Sequence, residues 1–423
     1  MSRQDDSMVP SIRFKEFSSE WDSERLENLL QLENGFAFKS KFFVSKVSNV
    51  IVVTPGSVHI GGGFQEGKGQ YYDASEVVLE KYKFQPGDIF VTMTDLTPTA
   101  QALGFPARIP DDGITYLHNQ RLGKLVGFVG DEEFLFQLLS TERYHLFVVS
   151  TSSGTTVKHS SRQRILNFEA CFPPREEQTQ IGSYFKSLDR IITLHQRKHE
   201  KLVTLKQAML QKMFPQDGAT TPEIRFKGFV GDWGSKVMGE VATITSASRV
   251  HKNEWTRSGV PFLRSSDVVA KYKGKSNEKA FISLDLYKSL TAKSGRLEKG
   301  DILVTGGGSI GIPYQVESDA PLYSKDADLL WLKIGQEVES DFLYIFLSSG
   351  MFREHIKSIS HIGTIAHYTV IQANRTPITL PELEEQVRIG KYFRNLDDLI
   401  SRHTTQLEKL KNIKTACLEK MFV

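Results

Sequence analysis

The chain has 423 residues, 39% of them hydrophobic and 24% charged, with a formal net charge of +3. That length is too great for one ordinary core and predicts two to four domains. The composition is that of a soluble globular protein, with no apolar run near the roughly 18 residues a membrane span needs. The near balance of charge leaves nucleic acid open, because phosphate binding needs local Lys/Arg surfaces and not a global excess.

The N-terminal MSRQDDSMVPSIRF has no apolar h-region, so no secretory signal is expected there. The two cysteines, Cys171 and Cys417, make neither a disulfide framework nor a zinc motif and are expected as reduced thiols. From the opening Pro10-Ser-Ile-Arg-Phe to Phe172, turns alternate with short β-branched or aromatic runs. Asn34-Gly35, Pro55-Gly56, Gly61–Gly63, Pro86-Gly87 and Asp112-Gly113 punctuate the region; Val50–Val53 and Ile89–Thr92 read as strands, and Glu132–Ser140 as a helix. Pro173-Pro174 and the following Glu pair suit a helix start, and Pro215 a helix end. Between them Ile181, Phe185, Leu188, Ile192 and His195 step by four and three, the pattern of a coiled-coil seam.

The same series then recurs. Pro222-Glu-Ile-Arg-Phe opens a second mixed region with strands at Ile302–Thr305 and Leu329–Leu332 and a helix at Asp341–Ser349. A second seam runs through Ile389, Phe393, Leu396, Ile400 and His403. The segments Pro173–Phe214 and Pro381–Phe422 align without a gap at a constant offset of 208, with half of their positions identical. Pro86-Gly-Asp-Ile-Phe-Val-Thr92 matches Lys299-Gly-Asp-Ile-Leu-Val-Thr305, and Gly154-Thr155 falls where Gly363-Thr364 does. Between these anchors the two regions differ widely. The chain is therefore two copies of one unit of about 210 residues, far longer than a solenoid repeat. Helices of some 30–40 residues would reach roughly 45–60 Å, and the simplest partner for each seam is the other copy, packed antiparallel. His195 and His403 are expected as polar seam residues that fix register.

Motifs of catalysis are poor. Gly62-Gly-Phe-Gln-Glu-Gly-Lys68 fits GxxxxGK, but Gly69 stands where a Mg²⁺-binding hydroxyl is needed. Gly306-Gly-Gly-Ser-Ile-Gly311 fits GxGxxG and follows a strand, but Ile312-Pro313-Tyr314 continues as extended chain where a dinucleotide site needs a helix. No HExxH or nuclease-like carboxylate cluster is present, and no methyltransferase-type Asn/Asp-Pro-Pro-aromatic motif.

This layout resembles the specificity subunit of type I restriction-modification systems. The resemblance rests on the two EEQ..IG.YF..LD..I..H helices ending in Lys-Met-Phe, the IRFK.F…W openings and the Gly-Asp-Ile strands, and it covers essentially the whole chain. It implies an α+β fold with two pseudo-symmetric target-recognition domains, separated by two long helices packed as an antiparallel coiled coil. The expected boundaries are 1–172 for the first recognition domain, 173–215 for the central helix, 216–380 for the linker and second domain, and 381–423 for the C-terminal helix. Each domain would read one half of a bipartite, asymmetric site in double-stranded DNA. The helices would set the spacer and dock two modification (methyltransferase) subunits through the seam residues named above. Restriction subunits, which are translocases and nucleases, would join in the cytoplasm. The resemblance implies a non-catalytic chain without metal or cofactor, S-adenosylmethionine being held by the modification subunits and ATP with Mg²⁺ by the restriction subunits.

Base-edge readout favours Arg, Lys, Asn, Gln and hydroxyl residues on loops. By type and position the DNA-contact candidates are Lys39, Lys41, Thr94, Asp95, Lys158, His159 and Arg162 in the first domain. In the second they are Arg264, Ser265, Ser309, Lys325, Thr364 and His367. Arg264 and the SSGTTVKHSS segment equally suit hydrogen bonding within the chain. The competing readings are a coiled-coil scaffold that reads no sequence, against which the unequal loops weigh, and a stand-alone nuclease.

Overall fold

The computed structural model describes residues 8–73, 75–97, 99–216, 218–325, 328–360 and 367–423. It divides into two compact units, Met1–Gln196 with Thr405–Val423, and Arg197–Thr404. The division cuts through both long helices, Arg175–Lys212 and Leu383–Met421. Each unit therefore holds one mixed region, the first part of one long helix and the last part of the other.

In the first unit a four-stranded antiparallel sheet runs in the order Gln31–Asn34, Leu122–Val126, Ile89–Thr92, Pro106–Arg108. A smaller sheet of Gln70–Tyr71, Val50–Val52 and Thr115–Leu117 contains a parallel pair, Val50–Val52 with Thr115–Leu117. Asp22–Arg25 pairs with Glu169–Phe172, the strand that leads into the long helix. The second unit repeats this plan. Its main sheet is Ala242–Ser246, Leu329–Ile334, Ile302–Thr305, Pro313–Gln315; its small sheet again holds one parallel pair, Val260–Leu263 with Tyr323–Ser324; and Gly234–Val237 pairs with Pro377–Leu380. The strands expected at Ile89–Thr92 and Ile302–Thr305 are found with those bounds. Two α-helices of the second unit, Ser265–Tyr272 and Leu284–Ser294, lie in the diverged stretch, where the described residues of the first unit hold only the short 3-10 turns Pro55–Ser57 and Glu80–Tyr82.

The repeated motifs are the joints of this plan. Arg13 Nε and Nη2 donate to the two Glu177 oxygens at 2.6 and 2.7 Å, and Arg225 does the same to Glu385 at 2.8 Å twice. The IRF segment is thus a strap across the first turn of the long helix. It also reaches the far end of the other helix: Ile12 N–H donates to Lys420 O, and Ile224 N–H to Lys212 O, both at 2.9 Å. Gln178 bridges Asp131 N–H and Pro173 O as Gln386 bridges Glu339 N–H and Pro381 O. Gly182 and Gly390 mark where the short helices Glu132–Leu138 and Ser340–Phe346 cross the long ones. A Cβ at Gly182 would lie 2.5 Å from the Asp131 carboxylate and 2.8 Å from Phe134 N, and one at Gly390 would lie 2.7 Å from Glu339.

The Lys-Met-Phe ends have the same logic. The first long helix stops at Lys212, short of Pro215, because Met213 and Phe214 turn into the second unit's core against Trp233, Phe342 and Phe393. Met421 and Phe422 enter the first unit's core against Phe134 and Phe185. Burying each such side chain contributes about 1.5–3 kcal/mol. Within each unit the start of one long helix lies beside the end of the other, so the pair runs antiparallel there. Asp189 meets Lys414 at 2.6 Å in the first unit, and Lys206 meets Asp397 at 2.5 Å in the second.

Ile181, Phe185, Leu188 and Ile192 are buried, and His195 is half-buried; Ile389, Phe393 and Leu396 are buried, while Ile400 and His403 are half-buried. The early turns are covered by both a core and a neighbouring helix. Farther along, the helix has left the core, and a single neighbour covers only one stripe. Cys171 and Cys417 are free thiols. Among the described residues no helix is long and apolar enough to cross a membrane.

Candidate nucleic-acid interface

Strand direction gathers the candidate residues. In the first unit the strands Gln31–Asn34 and Ile89–Thr92 end where Leu122–Val126 and Pro106–Arg108 begin. The Asn34-Gly35 turn, the 119–121 turn and the loop after Thr92 therefore leave the same end of the sheet. Backbone bonds knit them together: Phe36 N–H donates to His118 O at 2.8 Å, Gln120 N–H to Phe36 O at 3.1 Å and Met93 N–H to Arg121 O at 2.8 Å. Gly35 is required here, since a Cβ would stand 2.3 Å from the carbonyl oxygens of His118 and Asn119. His118 itself is buried with Nε2 3.0 Å from Leu122 O, and burial pushes its pKa down to about 4. It is a neutral pin beneath the loops.

Thr94 and Asp95 pair with His159 and Lys158 as a two-residue ladder. Thr94 Oγ1 lies 3.1 Å from His159 Nδ1. Asp95 is buried; its carboxylate accepts from Thr97 N–H at 2.7 Å, the Thr97 hydroxyl at 2.7 Å and Ala102 N–H at 2.6 Å. That carboxylate shapes the loop and offers little to a base. The polar segment folds back on itself, with Ser153 and His159 exchanging backbone hydrogen bonds at 2.9 and 2.8 Å. Gly154 has φ +96°, and a Cβ there would lie 2.0 Å from Val157 O. Thr155, Thr156, His159 and Arg162 are exposed and Lys158 is half-buried. Lys39 and Lys41 are exposed beside an aromatic group, Lys41 Nζ standing 4.6 Å from the Phe42 centroid, with Phe36, Phe38 and Tyr82 in ring contact nearby.

The second unit brings the equivalent loops to the same end of its sheet. Ser309 is exposed in the turn after Thr305, whose hydroxyl donates to Ser309 O at 2.5 Å. Gly308 and Gly311 take φ of +69° and +78°, and the chain continues into the strand Pro313–Gln315, so the glycine run is a tight turn and not a dinucleotide loop. Lys325 pairs with Asp328, whose carbonyl accepts from Ser265 Oγ at 2.8 Å. A Cβ at Gly307 would lie 3.2 Å from Asp328 Oδ1 and 3.7 Å from His367 Nδ1. Ser309, Lys325, His367 and Ser265 thus share one neighbourhood. Arg264 differs: its guanidinium donates to Asp267 at 2.8 and 2.9 Å and to Glu278 O, and stands over the Trp255 ring. Its fork is engaged within the chain. Thr364 lies outside the described residues.

The histidines show a correspondence that the sequence reading passed over. His159 and His367 are separated by the same 208 residues as the long helices. The residue after each makes the same backbone bond to the end of the central strand, Ser160 N–H to Met93 O at 2.9 Å and Tyr368 N–H to Gly306 O at 2.8 Å. Two residues on, Ser161 and Thr369 cap short helices, Arg162–Leu166 and Val370–Asn374. The shared offset was the available signal, hidden because the flanking residues differ. Among the described residues no group of three or more His, Cys, Asp or Glu is arranged to hold a metal ion.

Comparison with known proteins gives a consistent result. The family described as type I restriction modification DNA specificity domain matches residues 18–204 and again residues 231–412. The MjaVIII type I restriction enzyme specificity subunit of Methanocaldococcus jannaschii is 27% identical over 299 residues, covering 67% of this chain and 68% of the relative. The crystal structure of a type I restriction-modification system S subunit from M. genitalium superposes with a TM-score of 0.66 at 16% identity, covering 98% of this chain and 99% of the other.

Proposed function

The chain belongs to the family of type I restriction modification DNA specificity domains, with two copies in tandem, and from that premise we propose that each unit reads one half of a bipartite, asymmetric DNA site. It is a specificity subunit. The observation that carries the finer reading is the contrast at the loop-bearing end of each main sheet. The strands beneath are repeated, whereas the loops above them differ in length, secondary structure and polar residues. A scaffold without sequence reading would have no use for that contrast.

In this reading Lys39, Lys41, Lys158, His159 and Arg162 face one half-site, and Ser309, Lys325 and His367 face the other. Thr94, Asp95, Ser265 and Arg264 hold the loops in shape. The antiparallel helices set the spacer; a helix of 38 residues is about 57 Å long, and one DNA turn about 34 Å. Two modification subunits dock on the helices and carry S-adenosylmethionine; they methylate a base that must leave the duplex stack. Restriction subunits bring ATP and Mg²⁺. The chain itself performs no chemistry and works in the cytoplasm.

The test is to map methylated adenines in cells that carry this chain with its modification subunit. One bipartite motif is expected. Replacing residues 1–172 by another recognition domain should change one half of that motif and leave the other and the spacer intact. Methylation without any bipartite motif, or a swap that alters both halves, refutes the reading.

A further inference from the structure

We propose that His159 and His367 are a matched pair of DNA backbone anchors, each donating to a phosphate oxygen at the same place in its half-site. The proposal rests on the reading of each unit as a half-site reader, and it assigns these two residues a role that carries no sequence information.

The argument starts from what the units share. Within the region that has diverged, an exposed side chain has no packing reason to be the same in both copies. Yet histidine stands at both positions and is exposed in both. Each is mounted alike, one residue before the backbone bond to the central strand's end and two before the cap of a short helix. The two halves of an asymmetric site share no base sequence. What they share is the sugar–phosphate backbone, so a group common to both readers suits a partner common to both half-sites. Phosphate contacts position a protein on the duplex, while base contacts specify it.

The local chemistry fits. In the first unit the ring's Nδ1 is 3.1 Å from Thr94 Oγ1. A hydroxyl donating to Nδ1 leaves Nε2–H as the outward donor, which is what an acceptor-only phosphate requires. In the second unit Gly307 stands where Thr94 does, and a Cβ there would lie 3.7 Å from His367 Nδ1, so the ring sits beside the equivalent backbone position. Lys158 and Arg162 flank the first histidine, and Ser309 and Lys325, the latter paired with Asp328, lie on the loops around the second.

The test uses the chain in complex with its modification subunits and duplexes carrying the mapped methylation motif. Single methylphosphonate substitutions, which remove one phosphate charge, are scanned across each half-site. The wild type should be sensitive at one phosphate in each half that His159→Ala and His367→Ala respectively make insensitive. Each variant should bind about tenfold or more weaker, as expected for a lost hydrogen bond to a charged group, with the methylated motif unchanged. Thr94→Val should reproduce part of the His159 loss. His159→Asn, which keeps a donor, separates loss of contact from loss of fold. A variant that relaxes one base position makes the histidine a base reader and overturns the proposal. So does a variant that lowers recovery of the modification subunits while leaving DNA affinity intact, or one that changes neither. A wild-type complex with no bipartite motif would instead refute the half-site reading itself.

Discussion

Replacing Arg13 by methionine should loosen the first unit where the strap crosses the long helix. The Arg13–Glu177 pair is bidentate at 2.6 and 2.7 Å, and its side chains are 8% and 0% exposed. Removing one partner leaves a buried carboxylate without its counter-charge, a change that costs about 3–5 kcal/mol. Glu177→Gln in the Arg13→Met background, which removes the orphaned charge, should recover most of that loss. The assay is hydrogen exchange followed by mass spectrometry, comparing variant with wild type at equal pH. Peptides over 175–188 report the affected helix start, and peptides over 383–396, held by the intact Arg225–Glu385 pair, serve as an internal reference. Protection of 175–188 within about 1 kcal/mol of wild type, or equal loss at 383–396, would show that the strap is not what secures the helix.

His118 gives the first unit a pH dependence, of the same origin as that of His355 in the second, whose pKa burial also pushes down. Burial holds His118 near 4, and unfolding returns it to 6.5, so between these values the unfolded chain binds more protons. Its contribution is complete above about pH 6.5 and is lost as pH falls toward 4, about 2 kcal/mol of it by pH 5; thermal melts of wild type against His118→Gln should converge with that slope. Gly182→Ala and Gly390→Ala should each cost about 1–3 kcal/mol, because the short helix must move off the long one. Denaturant titration checks this, and a neutral Gly182→Ala would mean that the crossing is looser than the 2.5 Å approach implies.

The legible parts of the sequence were those where one contact solves the same problem twice. Glu177 and Glu385 repeat because each receives an arginine strap, Gly182 and Gly390 because a helix crosses there, and Met213-Phe214 and Met421-Phe422 because each fills a core. Identity at a fixed offset registers such constraints without any knowledge of the contact. The loops carry no such mark. Asp95 and Arg264 have the residue types of base readers, yet their polar groups are engaged by Ala102 N–H and by Asp267. A polar side chain in a loop reads alike whether it faces solvent or its own backbone. The helices Ser265–Tyr272 and Leu284–Ser294 escaped notice for a related reason: they occur in one copy, so no repeat pointed to them.

How the units tolerate such unequal loops is visible at the end of the central strand. Thr92 and Thr305 hold equivalent places, and each closes the loop that follows with its hydroxyl. Thr92 Oγ1 donates to Ala102 O, ten residues on, and Thr305 Oγ1 to Ser309 O, four residues on. The staple is the same and the span is not. Closing ten residues instead of four costs only about 0.8 kcal/mol of chain entropy, little against the burial that holds the strands. The loop's length and residues are thus thermodynamically uncoupled from the sheet, and the histidine beyond keeps its mount in either case. A reader built this way can change what it discriminates without disturbing the straps, crossings and helix ends that fix where it stands.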